Sequence, residues 1–282
     1  MSDEIEEKIF FVMGVPKSGT TWVQMLLAAH PEIQCRSEDQ FSFFSRQIPN
    51  LLDQYNRVIK KIDQDTARQD QIYQYNEADA KNCMKFLILR ALLKGTGGNQ
   101  NIQMIGTKDN GILNNVELFK QLFPKAKFVN VIRDPRDIAV SSWFHNLRVE
   151  ENFTERAKNF ETWCHTVARL WKKDLLQASN SFQYSPERIH WIKYEDLHTE
   201  PAATSKTLFD FLQVSTEPTV IDQALRETDF TAVSFMNNEK GGTKNPFFRK
   251  GMPGDWKNHI DAPLCEHMKN ELSDVMAFFK YE

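Results

Sequence analysis

The chain has 282 residues, enough for one large domain or two small ones with a substantial core. Its 35 Lys and Arg against 38 Asp and Glu leave a net charge of −3, which excludes a general nucleic-acid binder while permitting a local basic pocket. Its four cysteines (Cys35, Cys83, Cys164, Cys265) lie far apart, which argues against a disulfide scaffold or a zinc site and suits a reducing, cytoplasmic compartment.

The acidic opening MSDEIEEKIFF predicts no secretory signal peptide. The lack of any run of about 18 apolar residues predicts no membrane span. Residues 9–13 read as a short buried strand. A glycine loop follows, then a helix over 20–29 that stops near His30-Pro31. Strand, loop and helix open an α/β fold. Residues 40–95 read as helical, and GTGGNQN at 95–101 as a loop. A strand is expected at 102–105, a helix at 114–123 and a buried strand at 127–132. Asp134-Pro135 starts the next helix, with Pro at its first position. Helices are expected over 155–177, a strand at 188–193, and helices at 201–213 and 262–279. Between the last two lies a long Gly-, Pro- and Lys-rich loop at 237–258, a length that in a compact domain is usually functional or disordered. No repeat or linker divides 1–282 into two domains.

Three stretches carry chemistry. The first is Gly14-Val15-Pro16-Lys17-Ser18-Gly19-Thr20-Thr21. The N–H groups of such a loop, with the N-terminus of the following helix, bind an anion. In the nucleoside-triphosphate loop a lysine follows the second glycine. Here Thr20 follows Gly19, and Lys17 sits inside the loop. The second is VIRDPRDIAVSSW at 131–143. Arg133 ends a buried strand, at the carboxyl edge where open α/β sheets bind ligands, and Ser141 lies eight residues on. A guanidinium with a hydroxyl suits a terminal phosphate. The third is FFRKGMPGDWKN at 247–258, where Arg249, Lys250 and Gly251 offer an anion site on a loop able to close. Three anion sites ask for a ligand with phosphate-like groups at two places.

These residues resemble the sulfotransferases that use 3′-phosphoadenosine 5′-phosphosulfate (PAPS). PKSGTTW at 16–22 is similar to their 5′-phosphosulfate loop, Arg133 and Ser141 to their 3′-phosphate pair, and FFRKGMPGDWKN to their RKGxxGDWK loop. YEDL at 194–197 and VSF at 233–235 are similar to segments near the adenine. The matches run in family order from residue 9 to 258. The resemblance implies a single α/β domain with a P-loop-like fold, its central, mostly parallel sheet flanked by helices. It also implies PAPS as cosubstrate, adenosine 3′,5′-bisphosphate (PAP) as product, no metal, and a hydroxylated organic acceptor. A sulfuryl group carries less charge than a phosphoryl group and does not require Mg²⁺. The lysine can then sit within the loop and stabilise the leaving phosphate.

By resemblance, Lys17 takes that role, and Ser18, Gly19, Thr20 and Thr21 hold the 5′-phosphate. Trp22, Tyr194, Ser234 and Phe235 form the adenine site. Arg249, Lys250 and Gly251 join Arg133 and Ser141 at the 3′-phosphate. Lys108 in GTKDNG matches the family's Lys-Thr-His segment, which here lacks its histidine. HPEIQCRSED at 30–39 resembles instead a segment of the branch acting on protein tyrosines. Glu38 is therefore the candidate base, with Asp39 and His259 as further candidates. His145, one turn past Ser141, faces either the acceptor or solvent. Lys257 and Glu266 keep the spacing of the family's dimerisation segment, with Asp261-Ala262 in place of Thr-Val. The acceptor pocket is expected from 39–95 and 237–248, with apolar walls from Phe41, Phe43 and Phe44. A P-loop small-molecule kinase and a non-catalytic module that binds 3′-phosphoadenosine nucleotides are the competing readings.

Overall fold

The computed structural model describes residues 3–66, 73–94, 101–228 and 251–281. Five strands carry the architecture: β1 (Ile9–Gly14), β2 (Ile33–Ser37), β3 (Met104–Lys108), β4 (Lys127–Ile132) and β5 (Ile189–Lys193). All neighbouring strands are parallel, in the order β2-β3-β1-β4-β5. This is the α/β sheet the sequence predicts.

β1 lies at the centre, and every one of its six residues is buried. Its alternation divides the core. Ile9, Phe11 and Met13 face one layer and Phe10 and Val12 the other, as the two-residue period of a strand requires. A sheet covered on both faces reads as a continuous apolar run, which is why IFFVMG was legible.

The helices, in chain order, are α1 (Asp3–Glu6), α2 (Thr20–Ala28), α3 (Phe44–Thr66), α4 (Glu77–Lys94), α5 (Val116–Leu122), α6 (Pro135–Val149), α7 (Phe153–Ala157) and α8 (Phe160–Phe182). After β5 come α9 (Tyr194–Thr199), α10 (Pro201–Leu212), α11 (Pro218–Glu227) and α12 (Ala262–Phe278). Residues of α4, α5, α6, α8 and α12 cover the Phe11 face, and residues of α2, α10 and α11 the Phe10 face. No helix among the described residues is long and apolar enough to cross a membrane.

Three elements depart from expectation. β2 lies in 31–39, a stretch to which the sequence assigns no element; it is an edge strand whose alternating Ile33 and Cys35 are buried while Gln34 and Arg36 are not, too short a signal to separate from a loop. β3 begins and ends later than 102–105, because Thr107 and Lys108 pair with β1 and are buried despite their polarity. The helical stretch 40–95 contains two helices, α3 and α4, with the turn Phe41–Phe43 ahead of them.

Candidate active site

In a parallel sheet all carboxyl ends lie at one edge. Register pairs Ser37 with Lys108, Val12 with Lys108, Gly14 with Val131 and Ile132 with Lys193. The next residues in the chain are Glu38, the loop 15–19, Arg133 and Tyr194. Predicted site residues scattered over nearly 180 positions are thus the first residues past four strand ends, with Lys108 the last of the fifth. Ligands of open α/β sheets bind at this edge.

The loop is held by close backbone approach. A Cβ on Gly14 would stand 2.6 Å from the Val131 carbonyl, and one on Gly19 would stand 2.4 Å from the Tyr194 ring. Gly19 is also left-handed, with φ 99°, a conformation glycine adopts at no steric cost. Lys17 is left-handed too (φ 76°), as is Glu38 (φ 58°). A non-glycine residue in that region costs about 1–3 kcal/mol and clusters at functional sites. Ser18 is fully buried, and its Oγ has no hydrogen-bond partner among the described residues. The same holds for the buried Nε1 of Trp22. Thr20 is buried and Thr21 half-buried at the start of α2.

Arg133 ties the second motif to the first. Its Nη1 donates to the Lys17 carbonyl at 3.3 Å, and its guanidinium lies 4.3 Å from the Tyr194 ring centroid. Its Nη2 is 3.8 Å from Asp137, while its buried Nε has no partner among the described residues. Tyr194 packs edge-on against Trp22 at 5.7 Å, and its hydroxyl donates to the Gly251 carbonyl at 2.5 Å. Asp137 anchors the third motif by accepting from the N–H groups of Gly254 (2.7 Å) and Trp256 (3.0 Å). The structure therefore brings Gly251 to the loop; Ser234, Phe235, Arg249 and Lys250 lie outside the described residues. Of the two serines on α6, Ser142 is buried, donates to Ile138 and accepts from Trp163, while Ser141 is half-exposed. Ser141 is thus the serine left on the accessible side.

Lys108 is 1% exposed. Its Nζ makes an ion pair with Glu38, whose N–H donates to the Lys108 carbonyl at 2.8 Å. The Glu38 side chain is itself 54% exposed, so it bridges the buried lysine and solvent. Asp39 points elsewhere, held by Arg36 at 3.0 Å. His259 packs its ring on Phe144 (5.2 Å) and stands 3.3 Å from Asp255. None of these contacts involves Lys17, Lys108 or Glu38.

Burial and then the charges of Arg148, Arg133 and Lys108 hold Lys17 down to about 8. His145 is held below its ordinary value by burial, then by Lys17 and Arg148. His145 is half-buried on α6, one turn past Ser141. Arg148, which the sequence did not single out, is exposed near the end of α6.

Phe41 is a core residue, 3% exposed and stacked on Phe44, whereas Phe43 is 55% exposed. The expected apolar wall is therefore divided between core and surface. Asp109, next to Lys108, accepts from the N–H of Ser42 (3.2 Å) and of Gly111 (2.8 Å), which fastens the entry to α3 beside the lysine. Asp261 caps α12 by accepting from the Leu264 N–H at 3.0 Å.

Comparison with known proteins places these features in context. The model described as the Sulfotransferase family matches residues 10–218. A rat protein, sulfotransferase 1 family member D1, is 23% identical over 72% of this chain and 76% of its own length. Cytosolic sulfotransferase 7 of Arabidopsis thaliana is 26% identical over 99% of this chain and 80% of its own length. Among solved structures, mouse sulfotransferase SULT7A1 complexed with PAP superposes with a TM-score of 0.59, at 17% identity, over 96% of this chain and 84% of that one. That last likeness is one of fold.

Proposed function

Because the chain belongs to the sulfotransferase family, we propose that it moves the sulfuryl group of PAPS to a hydroxyl of an organic acceptor, without a metal. The observation that carries this reading is the convergence of Lys17, Lys108, Arg133, Tyr194 and Glu38 at one sheet edge. A kinase of similar fold would need its lysine after Gly19, where this chain has Thr20.

The residues present fit PAPS. Ser18 Oγ, Trp22 Nε1 and Arg133 Nε are buried polar atoms without a partner among the described residues, and such atoms ordinarily have partners. Ser18, Gly19, Thr20 and Thr21 would hold the 5′-phosphate. Arg133 and Ser141, with Arg249, Lys250 and Gly251, would hold the 3′-phosphate. Trp22, Tyr194, Ser234 and Phe235 would line the adenine. PAPS supplies the sulfuryl group and departs as PAP. Lys17 stabilises charge growing on the leaving phosphate, and Lys108 holds the sulfuryl oxygens. Glu38 takes the hydroxyl proton as the acceptor oxygen bonds to sulfur. Its contact with Lys108 puts the two groups side by side, and both roles require that pair to open as the substrates bind. The four free cysteines among the described residues support a reducing, cytoplasmic setting.

Binding of PAP and of AMP tests the nucleotide half of this reading. Arg133→Ala removes a charge-assisted contact worth about 1.5–3 kcal/mol. Calorimetry on wild type should give much tighter binding of PAP than of AMP, and the variant should lose roughly tenfold or more of that difference. Equal affinity for the two nucleotides in wild type contradicts the assignment of the 3′-phosphate site.

A further inference from the structure

We propose that Tyr281 is a positioning residue for the 3′-phosphate site: through Glu195 and Trp171 it clamps the peptide unit that aims Arg133. This rests on the reading of Arg133 as a 3′-phosphate ligand and extends it to residues that make no nucleotide contact in that reading.

The carrier is a single peptide unit. Between the end of β4 at Ile132 and the start of α6 at Pro135, the Arg133 carbonyl and the Asp134 N–H lie beyond the ladder of the strand and before the first turn of the helix. Backbone groups buried at such a joint need partners from elsewhere. Both find them in side chains. The Arg133 carbonyl accepts from Trp171 Nε1 at 3.1 Å, and the Asp134 N–H donates to Glu195 Oε1 at 2.9 Å. A peptide unit is planar, so holding it at both ends fixes the direction in which the Arg133 side chain leaves the backbone. That side chain reaches the Lys17 carbonyl at 3.3 Å and stands 4.3 Å from the centre of the Tyr194 ring.

Tyr281 stands behind both partners. Its hydroxyl donates to the second carboxylate oxygen of Glu195 at 2.9 Å, and its ring meets that of Trp171 edge-on, with centroids 6.2 Å apart. Burial, and then the Glu195 charge, push the Tyr281 hydroxyl well above its ordinary value, so it keeps its proton and remains the donor. Local structure delivers Tyr281 to this place. At the end of α12 the Lys280 N–H donates to the Ala277 carbonyl at 3.1 Å and the Tyr281 N–H to the Met276 carbonyl at 2.8 Å, with Lys280 left-handed at φ 56°. This closing turn reverses the chain after a helix, and here it sends Tyr281 back toward β5. There Lys193 Nζ donates to the Lys280 carbonyl at 3.3 Å and lies 4.6 Å from the centre of the Tyr281 ring. Packing alone would be served by a phenylalanine, as at Phe279, which already fills the space beside Trp171 and Trp191. The hydroxyl adds the hold on Glu195.

The test is calorimetry of PAP and of AMP on the full chain and its variants. Tyr281→Phe keeps the ring on Trp171 and removes only the hydroxyl. The ratio of PAP to AMP affinity should fall roughly three- to tenfold, the scale of one net hydrogen bond. Glu195→Gln leaves one oxygen where the clamp uses two, and should lower the ratio as well. In an Arg133→Ala background, Tyr281→Phe should change the ratio by less than about twofold, because its effect passes through Arg133. A role in stability alone would lower the melting temperature and leave the ratio where it was. A ratio unchanged in Tyr281→Phe therefore overturns the proposal and leaves the nucleotide assignments standing. So does a fall of the same size in the Arg133→Ala background. Equal binding of PAP and AMP by wild type brings down the 3′-phosphate reading itself, and this proposal with it.

Discussion

Replacing Lys17 by Met should lower kcat by roughly 10²–10³-fold, the usual loss for one group aimed at charge that develops in the transition state. PAPS binding should suffer less, because the loop N–H groups and the start of α2 remain. The loop also binds Lys17 into place through its backbone: its carbonyl accepts from Arg133 and its φ is 76°. The side chain can therefore change while the cradle persists. Burial and three neighbouring cations hold Lys17 to about 8 in the free protein, so its charge is present below that pH and lost above it. In consequence kcat/KM for PAPS should fall as pH rises through about 8. Bound anions favour the charged form, so the alkaline limb of kcat should lie at higher pH. Lys17→Arg should remove both limbs, since guanidinium stays protonated. A wild-type kcat/KM that is flat from pH 7 to 10 would contradict this role for Lys17.

Glu38→Gln is expected to retain PAP affinity and to lower kcat by roughly 10²–10⁴-fold, the range for loss of a general base. Gln keeps an oxygen that can accept from the buried Lys108, so the lysine is not left without a partner and the fold should persist. The comparison with Asp39→Asn and His259→Ala decides the assignment. Asp39 is held by Arg36, and His259 rests on Phe144 and Asp255. Both variants should turn over near wild-type rates. Near-normal turnover by Glu38→Gln together with loss in either of the others would assign the base elsewhere.

What the sequence revealed of this site follows from how each part is encoded. The phosphate loop is contiguous. An apolar strand, two glycines at fixed spacing and the Lys-Ser-Gly-Thr-Thr run are read in one pass, and Gly19 is demanded by a left-handed backbone against the Tyr194 ring. Arg133 was legible because it ends a buried strand, whereas Tyr194 was reached only through the resemblance of YEDL to a family segment. The partnership of Glu38 with Lys108 was less so. It depends on β2, an edge strand of five residues whose pattern is half polar, lying in register with β3. Phe41 and Phe43 are two positions apart, yet one enters the core and the other solvent. The turn Phe41–Phe43 sets that division, and composition alone could not. Asp137 carries no signal of its own in the sequence. In the fold it is 2% exposed and fastens the 254–256 turn to the helix that follows Arg133.

The most direct measurement is transfer of label from sulfur-labelled PAPS to a panel of phenols, alcohols and peptide- or carrier-bound hydroxyls, with EDTA present throughout. The account predicts a labelled organic product, PAP formed in equal amount, and a rate that added Mg²⁺ does not raise. No labelled product from any hydroxyl while PAP binds, or activity that EDTA abolishes and Mg²⁺ restores, would contradict it.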